Sequence, residues 1–312
     1  MKQYLGIIAS IIYAFVIRLL AEYNMIEINS FAYLIIAPAV LGFIPFFFRN
    51  DKFYSSIWKA IFFPLISVLF FLFIAILTQI EDLICLIIIG WPYILISVIL
   101  SVGLYSVLKK KDKGMSKNMM SIVFLPILLG SIEKELPKHS TQHLISNKII
   151  INTNAEMVYN NLLEVPDMTE SINIELSNYF GVPRPIYSTY DKELNIRKGY
   201  FENGIILYES VEYSKINSEL VFKIDVNKSE LENSPTLQHV LTTGGINFKN
   251  IKYKLISLDE NRTELKLSTE FEINSNLNFY GKYWSELIIN DFERNILYSL
   301  KKNLEKDVSN IK

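Results

Sequence analysis

The chain has 312 residues, half of them hydrophobic, with a mean hydropathy of +0.24 and a formal net charge of −1. That length admits two structural units, and the near-neutral total hides an asymmetry: residues 1–131 carry 10 Lys/Arg against 6 Asp/Glu, the remainder 21 against 26. The hydrophilic second part therefore lacks the basic stripe of a nucleic-acid-binding protein, and no nucleic-acid partner is expected.

The first part is built from long apolar runs. Four segments, Tyr4–Ala21, Phe31–Phe48, Ala60–Ile80 and Leu83–Leu108, come close to the roughly 20 residues a helix needs to cross about 30 Å of hydrocarbon. Residues 1–117 read as a membrane domain of four transmembrane helices. Pro38, Pro45, Pro64 and Pro92 fall inside them, where neighbouring helices can compensate.

Loop charges set the orientation. Lys2 precedes the first run, Glu22 and Glu27 follow it, Arg49, Lys52 and Lys59 flank the next turn, Glu81 and Asp82 the one after, and Lys109–Lys117 closes the series. This alternation places the N-terminus and the Lys109–Lys117 loop in the cytoplasm. Arg18, near the end of its run, is expected to snorkel to the headgroups. No run carries the buried acid, histidine or lysine of an ion path, and no repeated half-structure is visible, so an anchor or small bundle fits better than a transporter. The sole cysteine, Cys85, lies in the last run and reads as a small packing group.

Residues 118–146 follow as an interfacial segment and linker. The apolar stretch Met119–Gly130 contains Pro126 and is short for a span, so it suits a helix lying at the membrane surface. If it crossed instead, everything after it would lie outside the cytoplasm.

Residues 147–308 change character. "KIIINTN" reads as a strand, and "NAEMVYNNLLEV" as an amphipathic helix capped by Asn154, with a second helical piece at Ser171–Phe180. The strands that follow are "PIYSTYD", "NIRKGYFE", "GIILYESVEY", "SELVFKIDV", "LQHVLTTGGINF", "IKYKLISLD" and "RTELKLSTEFEI", joined by short turns. Short connections imply an antiparallel meander. The last strand alternates strictly, with Leu265, Leu267, Thr269, Phe271 and Ile273 on one face and charged or small polar residues on the other. A closing helix, Lys282–Lys306, carries Trp284, Leu287, Ile288, Phe292, Ile296 and Leu300 at helical spacing. A sheet dry on one face must lay it on something, and this helix is the only element large enough.

Over Lys148–Lys306 this order resembles the START-like, or polyketide-cyclase/dehydrase-like (SRPBCC), superfamily. The supporting residues are "KIIINTNAEMVYNNLLEV", "GVPRP", "RKGYFENGIILYESVEY", "LQHVLTTGGINFKNIKYKLISL" and "YGKYWSELIINDFERNILYSLKKNLE". The resemblance implies an α+β helix-grip fold, a curved antiparallel sheet wrapped on a long C-terminal helix. It also implies either a carrier or sensor of lipids and other apolar ligands, or a cyclase-type enzyme. Fold alone does not choose between them.

Candidate site residues follow from chemistry. Arg184, held between Pro183 and Pro185, is placed to meet a carboxylate or phosphate headgroup, or to form a salt bridge to the sheet. Glu209 falls on the more apolar face of its strand, where burial makes it an acid/base candidate unless Arg184 or Arg197 pairs with it. His239 precedes the Gly244–Gly245 pair, which permits a bulge at a pocket mouth. Asp291 and Asn295 lie near the inward stripe of the last helix, where they need partners. Tyr187, Tyr200, Tyr208, Tyr253 and Trp284 supply amphipathic lining, or simply core.

His139, His143 and His239 show no metal-ligand spacing, and no phosphate loop, HExxH or GxSxG motif occurs, so no metal or cofactor is expected. The expected partners are the lipid bilayer and a hydrophobic small molecule or lipid. Open alternatives are an enzyme using His239 or Glu209 with Arg184, and a scaffold with a filled cavity that binds another membrane protein.

Overall fold

The computed structural model describes residues 2–48, 56–111, 117–172, 176–242 and 245–310. The expectations placed on Arg49, Lys52, most of the Lys109–Lys117 loop and Gly244 lie outside these residues, as does the side chain of His239. Two compact units appear: residues 1–139 with 275–277, and residues 140–274 with 278–312.

The first unit is all helical. It contains α1 (Lys2–Glu22), a five-residue π segment (Ala32–Ile36) running into α2 (Ala37–Phe47), α3 (Ile57–Leu77) and α4 (Leu83–Lys111). A 3-10 turn (Lys117–Phe124) then leads into α5 (Leu125–Glu135). Among the described residues three helices are long and apolar enough to cross a membrane, within Tyr4–Glu22, Ile57–Leu77 and Leu83–Lys109. The segment expected as a fourth full span differs. Ala32–Phe47 is shorter, about 24 Å at 1.5 Å per residue, and most of its side chains are buried.

Close approach explains that burial. A Cβ at Gly42 of α2 would stand 2.4 Å from the Ser97 carbonyl oxygen of α4, so only glycine lets the two backbones meet there. The amide donors that open the Ala32–Phe47 segment are met from far away in sequence. The Glu133 carboxylate of α5, itself buried, accepts from Phe31 N at 2.9 Å and Ala32 N at 3.0 Å, satisfying groups that a helix start leaves open. Gly130, one turn earlier, lets α5 sit against Ile26 and Ala32. The opposite face of the 3-10 turn and α5 exposes Met120, Phe124, Leu125, Leu128 and Ile132.

Arg18 does not snorkel. It is 2 % exposed, and its Nε donates to Glu81 Oε1 at 2.6 Å while Nη1 reaches Glu22 at 2.8 Å. Glu81, in the α3–α4 turn, is buried with it. Sequence spacing hid this pairing because the two residues are 63 positions apart.

The second unit is a seven-stranded antiparallel sheet with strand order β1-β7-β6-β5-β4-β3-β2. Its strands are β1 (Ser140–Ile151), β2 (Pro185–Asp191), β3 (Ile196–Phe201), β4 (Ile206–Lys215), β5 (Glu219–Glu230), β6 (Ile246–Asp259) and β7 (Arg262–Asn274). Four helices complete it: α6 (Ala155–Leu163), α7 (Leu176–Tyr179), α8 (Pro235–Thr242) and α9 (Asn278–Asn310). Asn154 caps α6, its side chain accepting from Met157 N at 2.9 Å.

Two element assignments change. β1 begins at Ser140, inside the expected linker, because every residue from Ser140 to Ile151 finds a partner on β7. "LQHVLT", read as strand, is helical in α8, and "INF" instead opens β6. Ser234 heads that turn, its hydroxyl accepting from Leu237 N at 3.3 Å.

β7 buries Thr263, Leu265, Leu267, Thr269, Phe271 and Ile273 and leaves the alternate residues half exposed. Its dry face meets α9. The largest core cluster joins α6, the middle strands and Leu297, Leu300 and Leu304 of α9. Two smaller clusters lie at Ile145, Phe271, Ile273 and Ile289, and at Ile205, Leu231 and Leu241 beside α8. One long helix gripped by a curved antiparallel sheet is the helix-grip fold.

Candidate functional site

The inner face of the sheet carries one ion pair. Arg197 of β3 and Glu209 of β4 are direct cross-strand partners, 7 % and 4 % exposed, with Arg197 Nε donating to Glu209 Oε2 at 2.5 Å. Arg197 Nη1 also donates to the Leu162 carbonyl of α6 at 2.9 Å. The guanidinium lies 4.0 Å from the centre of the Phe222 ring and 5.9 Å from that of Tyr253, a stacked arrangement that suits a planar cation. Burial opposes its charge, and Glu209 and Tyr253 together more than offset this, holding the arginine pKa above its ordinary value. Burial pushes the Tyr253 phenol up, against the pull of Arg197.

A second buried carboxylate, Glu293, projects from α9. It is 1 % exposed and accepts from Asn147 Nδ2 of β1 at 2.9 Å. Burial raises its pKa, with hydrogen bonds from Asn147 and Thr269 pulling the other way. Sequence reasoning singled out its neighbours Asp291 and Asn295. The missed signal is spacing: Ile289 and Leu297, both buried, bracket Glu293 at four-residue intervals.

Beside Glu209 lie apolar side chains that are only partly buried. A Cβ at Gly199 would lie 3.2 Å from the Phe201 ring and 4.0 Å from Glu209 Oε2, so the Phe201 ring lies close to the ion pair. Phe201 stacks on Phe292 of α9 at 6.0 Å. Phe201, Leu207, Leu237 and Phe248 pack around the small α8 cluster, and each remains only partly buried. Trp284, Ile288 and Phe292, in the first half of α9, are likewise partly buried, whereas Leu297, Leu300 and Leu304 in the second half are sealed.

The other sequence-chosen residues disperse. Arg184 forms an ion pair with Glu202: its Nε and backbone N donate at 2.9 and 3.1 Å, and Nη2 donates to the same carboxylate. The arginine draws the Glu202 pKa below the usual carboxylate range. Tyr187 and Tyr200 stack at 4.4 Å, and Lys198 lies over the Tyr208 ring at 5.0 Å. These side chains stand on the face opposite Arg197 and Glu209. Tyr253 is in the main core. Asp291 accepts from the Ser177 amide at 3.2 Å and from its hydroxyl, holding α7 to α9. Trp284 meets Tyr280 and Tyr283 edge-on. His239 lies on α8.

The outer face of the sheet holds an open groove of about 770 Å³, lined by Gln142, Leu144, Tyr213, Val221, Lys252 and Glu270 among others. Some of its polar groups are engaged with one another. Lys252 pairs with Glu219 at 3.2 Å, and Asn250 donates to Glu270 at 3.2 Å. Among the described residues no cluster of His, Cys, Asp and Glu is arranged to hold a metal ion.

No protein-family model and no curated protein matches this chain. Among solved structures it is similar to a START superfamily protein from Mycobacterium smegmatis (9 % identity, TM-score 0.36, covering 53 % of this chain and 98 % of that one). It is similar also to the Zhui aromatase/cyclase from Streptomyces sp. R1128 (9 %, 0.37, 54 % and 96 %) and to norcoclaurine synthase from Thalictrum flavum (12 %, 0.34, 54 % and 88 %). The helix-grip assignment rests on the strand order and the position of α9, and the resemblance to the START-like superfamily is one of fold.

Proposed function

We propose that this chain is a membrane-anchored binding protein whose helix-grip domain takes a hydrophobic or lipid-like small molecule between the sheet and the first half of α9. The observation that carries the reading is the contrast along the inner face. The second half of α9 is sealed into the core, while Phe201, Leu207, Phe248 and Phe292 turn inward and stay partly open. Partly open apolar walls around few polar groups are the usual build of a small-molecule site. The buried Arg197–Glu209 pair lies beneath that wall and ties β3 to β4 and α6.

The three long apolar helices hold the domain at a bilayer, where such ligands concentrate, so weak affinity suffices. The alternating loop charges support a cytoplasmic N-terminus and, with a crossing by Ala32–Phe47, a cytoplasmic domain.

The test is native mass spectrometry of the full-length chain released from nanodiscs of one defined lipid, after incubation with cell lipid extract. A stoichiometric apolar adduct is expected. It should disappear in Leu207→Trp, which fills the inner wall, and persist in Tyr187→Ala on the outer face. An adduct indifferent to Leu207→Trp defeats the inner-site reading.

A second reading has its own observation. The outer groove, with Leu144 and Tyr213 exposed beside it, offers a surface for a protein partner. Val221→Arg would abolish partner capture there and leave any lipid adduct unchanged.

A further inference from the structure

Inside the first unit three phenols gather among apolar helices. Tyr13 of α1, Tyr33 of the π segment and Tyr93 of α4 are 9 %, 0 % and 1 % exposed. The rings of Tyr33 and Tyr93 are 5.6 Å apart, and Phe71 of α3 stacks on Tyr93 at 6.0 Å. Tyr93 stands within electrostatic reach of both Tyr13 and Tyr33, and Tyr33 within reach of Arg18 and Glu81. Three helices and the π segment thus converge on one polar spot.

The hydroxyls of all three tyrosines are buried; those of Tyr33 and Tyr93 approach one another, and among the described residues no further partner meets any of the three. A phenol needs an acceptor for its proton, and a bundle in lipid has little water to supply one. The nearby carboxylate does not fill the need, because Glu81 is engaged by Arg18 at 2.6 Å. A purely structural interior would do better with phenylalanine, which fills almost the same volume without an orphaned donor. What the cluster lacks is an acceptor oxygen between aromatic walls.

We propose that Tyr13, Tyr33 and Tyr93 form a binding site within the helical unit for a membrane-dissolved carbonyl compound, its oxygen accepting from the phenols and its body lying against Phe71. Lipid esters and alkyl quinones share this chemistry. The site is separate from the sheet–helix site of the second unit.

Benzophenone tests it, because its ketone is an acceptor and it inserts into nearby C–H bonds under light. The full-length chain in nanodiscs is irradiated with it, alone or with excess long-chain methyl ester or alkyl quinone, and the adducts are mapped by peptide mass spectrometry. Saturable adducts are expected on peptides from Ala32–Phe47 or Leu83–Lys111, and the better competitor identifies the source. Labelling should fall roughly tenfold in Tyr13→Phe/Tyr33→Phe/Tyr93→Phe, the loss of one to two hydrogen bonds. Equal labelling in the triple variant overturns the proposal, above all if that variant melts at a higher temperature than wild type. Adducts confined to lipid-facing residues such as Ile12, Leu69 and Ile99 also overturn it. If the triple variant fails to fold, the three single variants, each expected to fall about threefold, carry the same readings.

Discussion

Arg197 and Glu209 show what burial does to a pair of charges. Each is sealed from water, and each is satisfied by the other and, for the arginine, by the Leu162 carbonyl. Removing one partner leaves an uncompensated charge in the core. Glu209→Gln should therefore destabilise the domain by about 3–5 kcal/mol, read from thermal or urea unfolding of the full-length chain. Glu293 behaves oppositely, since its folded-state pKa is raised by burial. The folded form then holds a proton that the unfolded form has released, so stability is greatest below the unfolded carboxylate value and declines as pH rises through the folded one. Glu293→Gln should flatten that decline, so that the variant gains on wild type as pH rises above the ordinary carboxylate range. Glu202, Asp259 and Glu272, all lowered, lose their contribution only as pH falls into the acid range, which keeps the two effects apart.

The elements differ in how plainly the sequence displayed them. Alternation made β7 visible, and the Trp284-to-Leu300 stripe made α9 visible, because each has one wet and one dry face. The Glu209 partnership was among the alternatives readable from the strand faces, since Arg197 lies one hairpin away. β1 was cut short because Ser140–Asn147 looks hydrophilic; its pairing comes from β7, more than a hundred residues later. α8 was misread because "LQHVLT" is too short for either period to decide. Glycines give the sharpest test at this scale. Gly42→Ala forces α2 from the Ser97 carbonyl and should cost about 1–3 kcal/mol or prevent folding, whereas Gly103→Ala meets nothing within 4 Å and should be neutral or slightly stabilising. Glu133→Ala should cost about 1–2 kcal/mol by stripping the acceptors from Phe31 and Ala32. Thermal unfolding of the three variants in nanodiscs checks the order.

For the whole molecule the open quantity is the number of crossings. Three long helices alone would carry the chain to the side opposite its N-terminus, while a crossing by the shorter Ala32–Phe47 segment returns it. Local bilayer thinning makes a short crossing affordable at fractions of a kcal/mol per Å, and the alternating loop charges favour it. A reporter fused after Lys312 should therefore give a cytoplasmic signal; an extracytoplasmic one would remove the short crossing from the membrane path. The two-unit division was legible from hydropathy, but the burial of Arg18 with Glu81 was not, because ion pairs across turns leave no periodic trace.

The strand order imposes a schedule on synthesis. Among the described residues β1 is an edge strand that pairs with β7, and about 120 residues separate their starts. At roughly 5–20 residues per second a ribosome exposes β1 for on the order of 6–24 s before its partner exists. During that interval "KIII" hangs from a newly inserted helical unit with its backbone unpaired, a natural client for a chaperone. Nascent chains stalled before Arg262 should aggregate or be degraded, and those released after Asn310 should not.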